Sequence, residues 1–162
     1  MRTAWLAALL IACESAPPPM DPRPDESISA VLDDWHAAAA ASDEERYFGH
    51  FTRDAIFLGT DASERWDVPS FRAYAHPHFS SDHGWAFRVV RRAIVVEGEH
   101  AWFDEDLASE HLGPLRGSGV LRCDDGDWRI AHYNLTFTIP NDRVSQVTAA
   151  LERSDTPTPE PR

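Results

Sequence analysis

The residues with the most chemical content lie near the end of the chain, in "GDWRIAHYNLTFTIP" (126–140). Alternation along an extended strand places Trp128, Ile130, His132, Asn134 and Thr136 on one face. Arg129, Ala131, Tyr133, Leu135 and Phe137 take the other. His132, Asn134 and Thr136 then make a polar ladder in an otherwise apolar strand. An imidazole in such a row is a general-base candidate. The other reading of the ladder is a solvated or dimer-facing side of a sheet. Tyr133 reads as a core tyrosine with a satisfied hydroxyl.

Acids supply the next candidates. Asp61 and Glu64 stand in the turn-like segment "GTDASERW" (59–66), beside Trp66, and turn acids ordinarily satisfy local amides. In "HAWFDEDLASEH", Ala101, Phe103, Glu105 and Leu107 alternate against Trp102, Asp104, Asp106 and Ala108. Asp104 either faces water or pairs across strands with Arg116. "HPHFSSDH" brings His76, His78, Asp82 and His83 close in sequence, but a metal needs convergent ligands with outer support. An exposed histidine-rich loop is expected there, and no metal. The chain has no glycine-rich phosphate loop, CxxC pair, HExxH or GxSxG.

These residues need elements to position them. Ile28, Val31, Leu32 and Trp35 recur at helical spacing, predicting a helix capped by Ser27 and running to Ala41. Ser42 to Glu45 reads as a capping box opening a second helix, "EERYFGHF". A short strand, "AIFLG" (55–59), follows. Asp67 and Pro69 start a third helix, with Phe71, Tyr74 and Ala75 on one side and an end near Pro77. From Trp85 the period changes to two: "WAFRVVRRAIVVEG" carries a bulge after Val89, and Asp125-Gly126 marks a hairpin between the last two strands. Asn141 is placed to cap a last helix. Three helices, an early strand and then long antiparallel strands spell α+β, with a strongly curved sheet folding around the helices and leaving a cleft between them.

The N-terminus reads as an address. Arg2 precedes an uncharged apolar run, Ala4 to Ala12, too short for the roughly 20 residues a bilayer span needs but suited to a secretory signal. Leu10-Ile11-Ala12-Cys13 resembles a bacterial lipoprotein signal, which implies residues 1–12 as signal peptide and Cys13 as the lipidated first mature residue. Prolines after Cys13 stop any helix, and residues 13–26 read as a proline-rich acidic tether. Glu14 after the cysteine leans toward the outer membrane, facing the periplasm. A lipidated Cys13 leaves Cys123 without a partner, so Cys123 reads as a small buried hydrophobe.

About 125 residues then remain, enough for one domain; over the whole chain, a 43% hydrophobic content and six tryptophans, one of them Trp5 in the leader, suffice for a core. A formal net charge of −12 argues against nucleic acid. The 15 basic residues are all arginine, which excludes lysine Schiff-base chemistry.

The order of elements, "FTRDAIFLGTDASERW", "AWFDEDL" and above all "RGSGVLRCDDGDWRIAHYNLTFTIPN" resemble the nuclear transport factor 2-like superfamily, in its SnoaL-like, ketosteroid isomerase-like branch. The resemblance spans residues 27–145, leaving 146–162 as the end of a terminal helix and a tail. It implies a cone-shaped, cystatin-like roll with a pocket at its wide end, often a homodimer through the sheet. It also implies that the Asp61–Trp66 segment lies near the pocket mouth. The expectation is a lipid-anchored domain of the bacterial envelope binding a small, partly apolar molecule without a cofactor. The alternative is a small isomerase, dehydratase or hydrolase. His132 and Asp61 are the expected bases. Glu64, Trp66, Tyr74, Trp102, Asp104, Arg116, Asn134 and Thr136 are the expected ligand contacts.

Overall fold

The structure, a computed structural model, describes residues 23–81 and 84–154. Cys13, the signal and most of the tether, together with Asp82, His83 and the tail beyond Ser154, lie outside the described residues. Helix α1 (Pro24–Ala40) starts earlier than expected, with Pro24 in its first turn and Asp25 and Glu26 against the positive end of the helix dipole. Ser27 is therefore inside the helix, where its hydroxyl donates to the Arg23 carbonyl. Ile28, Leu32, Trp35, His36 and Ala39 are buried along one face. Helix α2 (Glu44–Gly49) is capped by Asp43, which accepts from the Arg46 amide at 3.2 Å. Ser42 instead has a φ of 54° and accepts from the Gly84 amide at 3.0 Å, so the expected capping box does not form.

Strand β1 (Phe51–Leu58) begins where the second helix was expected to continue, because Phe51 turns inward to the core. After the short β2 (Arg65–Asp67), Asp67 caps α3 (Val68–Ser80) by accepting from the Ser70 amide at 2.9 Å. Pro77 does not end this helix. Its ring nitrogen cannot bond the carbonyl one turn back, yet burial of Phe79 against Tyr47 and Trp85 holds the last turn in place.

Four long strands complete the chain: β3 (Arg88–Glu97), β4 (His100–Ser109), β5 (Gly113–Asp124) and β6 (Asp127–Phe137). Asp125 and Gly126, at φ 55° and 91°, make the tight turn between β5 and β6 that the sequence signals. The sheet order is β2-β1-β6-β5-β4-β3, antiparallel except where β1 runs parallel to β6. The fold is α+β, helices followed by a curved six-stranded sheet. A turn of 3-10 helix (Asn141–Arg143) leads into α4 (Val144–Ser154), whose exposed apolar residues include Val144 and Leu151. Cys123 is free and half-buried rather than buried. No helix among the described residues is long and apolar enough to cross a membrane.

The core lies between α1–α3 and the inner face of the sheet. Bulges in the β3–β4 and β5–β6 pairings bear on which residues reach it. The β5–β6 register shifts between Val120 and Leu121, with Val120 opposite His132 and Leu121 opposite Ile130, so Ala131 is unpaired. That extra residue reverses the alternation, which puts Ile130 and Tyr133 on the same inward side. The shift expected after Val89 is found between Val89 and Arg91 of β3.

Candidate functional site

Helices and sheet enclose a cavity of about 180 Å³. Its deep wall is made by Trp35, His36, Tyr47 and Tyr133, each almost wholly buried. Phe57, Phe71, Trp85 and Phe87 form its sides, while Gly59, Thr60, Glu64, Trp66, Tyr74 and Leu112 surround the mouth. The aromatic walls are themselves stacked: Trp66 lies on Phe71 and Tyr74 at 5.4 and 4.6 Å between ring centres, and Phe71 on Phe57 at 4.0 Å. Such pairs contribute roughly 0.5–1.5 kcal/mol each beyond area burial, so the walls hold their shape without a ligand.

Behind the deep wall is a buried ionic group. Glu105 of β4 is in phase with Ala101, Phe103 and Leu107 and faces inward with no exposure to solvent. Its Oε1 lies 2.7 Å from His36 Nε2, and its Oε2 accepts from Arg92 Nε at 3.0 Å. Arg92 donates further to the Ser29 carbonyl at 3.1 Å and to Asp33 at 2.8 Å. The Tyr133 hydroxyl also reaches Glu105 Oε1, at 3.4 Å. Burial alone pushes the Glu105 carboxyl up, but the hydrogen bond and charge of His36, with those of Arg92, outweigh it and hold the group below its ordinary value. Glu105 is therefore a carboxylate. Burial, then the Glu105 charge, raises the Tyr133 phenol well above its usual range, so Tyr133 keeps its proton.

The ionised carboxylate fixes the imidazole. His36 Nε2–H donates to Glu105, so the carboxylate sets the orientation of the ring. Nδ1 has no hydrogen-bond partner among the described residues. The arrangement puts an imidazole on an aromatic cavity with a carboxylate behind it, which orients the ring and favours its protonated form.

Of the expected site residues, Glu64, Trp66 and Tyr74 do line this cavity. Glu64 also closes the β1–β2 turn, its Oε2 accepting from the Asp61 amide at 3.1 Å. Asp61 is exposed and turned to Ser63, accepting from its amide at 2.8 Å. The Ser63 hydroxyl and then its amide lower the Asp61 pKa, as turn chemistry predicts. His132, Asn134 and Thr136 occupy the outer face of the sheet, because the Ala131 bulge exchanges the two faces of β6. Trp102, Asp104 and Arg116 lie on that outer face too. The expected Asp104–Arg116 pair is replaced: register puts Arg116 opposite Asp106 and Asp104 opposite Ser118. Arg91 bridges Asp104 at 2.7 Å and Asp106 at 3.0 Å, while Arg116 reaches Asp106 at 3.3 Å.

His36, Glu105 and Arg92 were missed by the sequence reading. Glu105 carried a signal, being a charge in phase with three inward apolar residues, a position that requires a buried partner. His36 had only its place on the buried stripe of α1, four residues after Leu32. His76 and His78 lie on α3, and His76 Nδ1 meets Glu44 at 2.7 Å. Among the described residues no three His, Cys, Asp or Glu side chains converge as a metal site would require.

The sequence model of the SnoaL-like domain matches residues 28–140. The chain belongs to the SnoaL-like family. Solved structures share the fold of this SnoaL-like protein at low identity. An NTF2-like protein of unknown function from Pseudomonas putida is 12% identical over 76% of this chain and 93% of its own, with a TM-score of 0.64. A protein of unknown function with a cystatin-like fold from Nostoc punctiforme is 12% identical over 72% of this chain and 92% of its own, at a TM-score of 0.60. A candidate dehydratase of the NTF2-like family from Streptomyces avermitilis is 12% identical over 74% and 100%, at 0.63. No curated protein matches.

Proposed function

We propose that this SnoaL-like domain binds a small, largely apolar ring-bearing molecule in the cavity between its helices and sheet. The observation that supports it is a cavity of about 180 Å³ walled by aromatic rings, with His36 among the residues of its deep wall. Ligand sites are commonly apolar concavities with a few placed polar groups. An apolar protein cavity of roughly 150 Å³ accepts benzene, so a ligand of about one ring, with a short substituent, is the size that fits. Native mass spectrometry of the purified protein tests the reading: a retained small molecule, lost on denaturation, supports it. Failure of any one-ring compound to bind in a broad fluorescence screen removes it.

The His36–Glu105 pair favours a second reading, a proton-transfer enzyme of isomerase or dehydratase type. In it His36 takes over the general-base role the sequence gave to His132 and Asp61. The dehydratase name printed for one structural neighbour lends it weight. A turnover assay in which wild type acts and His36→Phe does not, with binding retained, separates enzyme from binding domain.

The setting follows from the N-terminal residues. The lipobox-like Leu10–Cys13 supports attachment to the outer membrane through Cys13, with the domain in the periplasm. Cys13→Ala releases the protein into the soluble fraction; a variant that still sediments with membranes contradicts lipidation. A second copy of the chain covers the outer face of the sheet. There Ile56, His132, Val120, Trp102 and Val95 stand opposite one another in a single cross-strand row. Trp102 and Val95 in that row are 46% and 49% exposed.

A further inference from the structure

We infer that the mouth of the cavity is a cation site, and that the one-ring ligand carries a protonated amine whose N–H donates to the Glu64 carboxylate. The inference rests on the binding reading of the cavity and adds the chemical class of the ligand's polar end.

Strand register places the carboxylate. Phe57 pairs with Trp66 and Leu58 with Arg65. The next pair is Gly59 with Glu64, joined by the Gly59 amide donating to the Glu64 carbonyl at 2.9 Å. Alternation sets Glu64 and Trp66, both half-buried, on the face that lines the cavity, and leaves Arg65 exposed on the other. Glu64 folds over Gly59, so that a Cβ on the glycine would meet Glu64 Oε2 at 2.1 Å. Phe57 and Gly59, two apart along the chain, both line the cavity, and the carboxylate over Gly59 therefore lies on the cavity side of the turn. Its Oε2 accepts from the Asp61 amide at 3.1 Å, and no ion pair holds Glu64 among the described residues. Arg72 on α3 is taken by Glu44 and Glu45 instead.

The rest of the wall offers nothing to an anion. No arginine lines the cavity and the chain has no lysine. His36 is the one basic residue on the wall, and Glu105, Arg92 and Asp33 form one bonded group with it. Two carboxylates there face one guanidinium and at most one imidazolium, so the group has no net positive charge in either protonation state of His36. Trp66, next to Glu64 on its face, is stacked on the exposed Tyr74. Aromatic rings beside a carboxylate favour a cation. An ammonium deep among the rings would lose its water without gaining a partner, so the ring enters first and the charged end stays at the mouth.

Benzylamine, benzyl alcohol and benzoate, one-ring probes of similar size, test it on the full protein at neutral pH by tryptophan fluorescence. Benzylamine, an ammonium at that pH, is expected to bind about tenfold more tightly than benzyl alcohol, with benzoate weakest. That is the low end for a hydrogen bond to a charged group, because the mouth is open to water. Equal binding of amine and alcohol, or tighter binding of benzoate, overturns the inference and leaves the binding reading intact. Binding of none of the three, while other one-ring compounds bind in the broad screen, overturns it as well. Binding of no one-ring compound at all removes the underlying reading.

Glu64→Gln keeps an acceptor for the Asp61 amide and removes the charge. The benzylamine advantage is expected to vanish with benzyl alcohol binding unchanged; an advantage that survives overturns the assignment to Glu64. Salt gives a readout on the wild type. Rising ionic strength should shrink the benzylamine advantage and leave benzyl alcohol unmoved, since a charge at an open mouth is screened. An advantage indifferent to salt contradicts a carboxylate at the mouth, even if Glu64→Gln fails to fold.

Discussion

The Tyr133 hydroxyl lies directly over Gly117, so close that a Cβ on that glycine would be 2.2 Å from the phenol oxygen and 3.0 Å from Glu105 Oε1. The absence of a side chain on β5 is what lets a phenol and a carboxylate share the space behind the cavity. Gly117→Ala is expected to displace Tyr133 and cost about 1–3 kcal/mol, the usual range for overpacking. Urea denaturation measures it. In a Tyr133→Ala background the same substitution should cost much less, because the atoms it meets are gone.

The buried carboxylate gives a pH dependence with a definite sign. Burial raises the Glu105 pKa, but His36 and Arg92 lower it by more, so the folded value lies below the unfolded one. Its contribution to stability is complete above the unfolded carboxylate value and is lost as pH falls through the lower, folded value. Stability measured across the acid range should fall less steeply in Glu105→Gln than in wild type. The residual slope belongs to other acids held low by partners, such as Asp34 and Glu44.

Removing one member of the buried pair exposes the cost of the other. Arg92→Met leaves Glu105 with His36 and the Tyr133 hydroxyl and is expected to destabilise by about 3–5 kcal/mol. The double variant Arg92→Met with Glu105→Leu should recover much of that loss. A thermal melt of the three variants decides it, and additive losses would contradict a coupled pair.

Tryptophans separate the cavity from the outer face. Trp35, Trp66 and Trp85 line the cavity, whereas Trp102 is 46% exposed on the opposite side of the sheet. Trp66→Phe should diminish the fluorescence response to a bound one-ring compound. Trp102→Phe should leave that response unchanged.

Trp102 reports instead on self-association. Trp102→Asp places a charge in the middle of the exposed apolar row and is expected to shift sedimentation equilibrium to monomer, with the fold retained by circular dichroism. A wild type that sediments as monomer at tens of micromolar, about the range of a weak interface, contradicts the covered outer face.

By itself the sequence determined the class of fold, the order of helices and strands, the Asp125-Gly126 hairpin and the family. Those follow from local periodicity and turn chemistry, which are written in neighbouring residues. Glu64, Trp66 and Tyr74 stood among the eight expected ligand contacts, and the structure places these three on the cavity and the other five elsewhere. The tertiary structure alone decided which side of β6 faces inward. One unpaired residue, Ala131, reverses the alternation, and a bulge leaves little trace in a pattern of types. It alone brought His36 to Glu105, 69 positions apart, since a helix and a strand meet only through packing of the whole core.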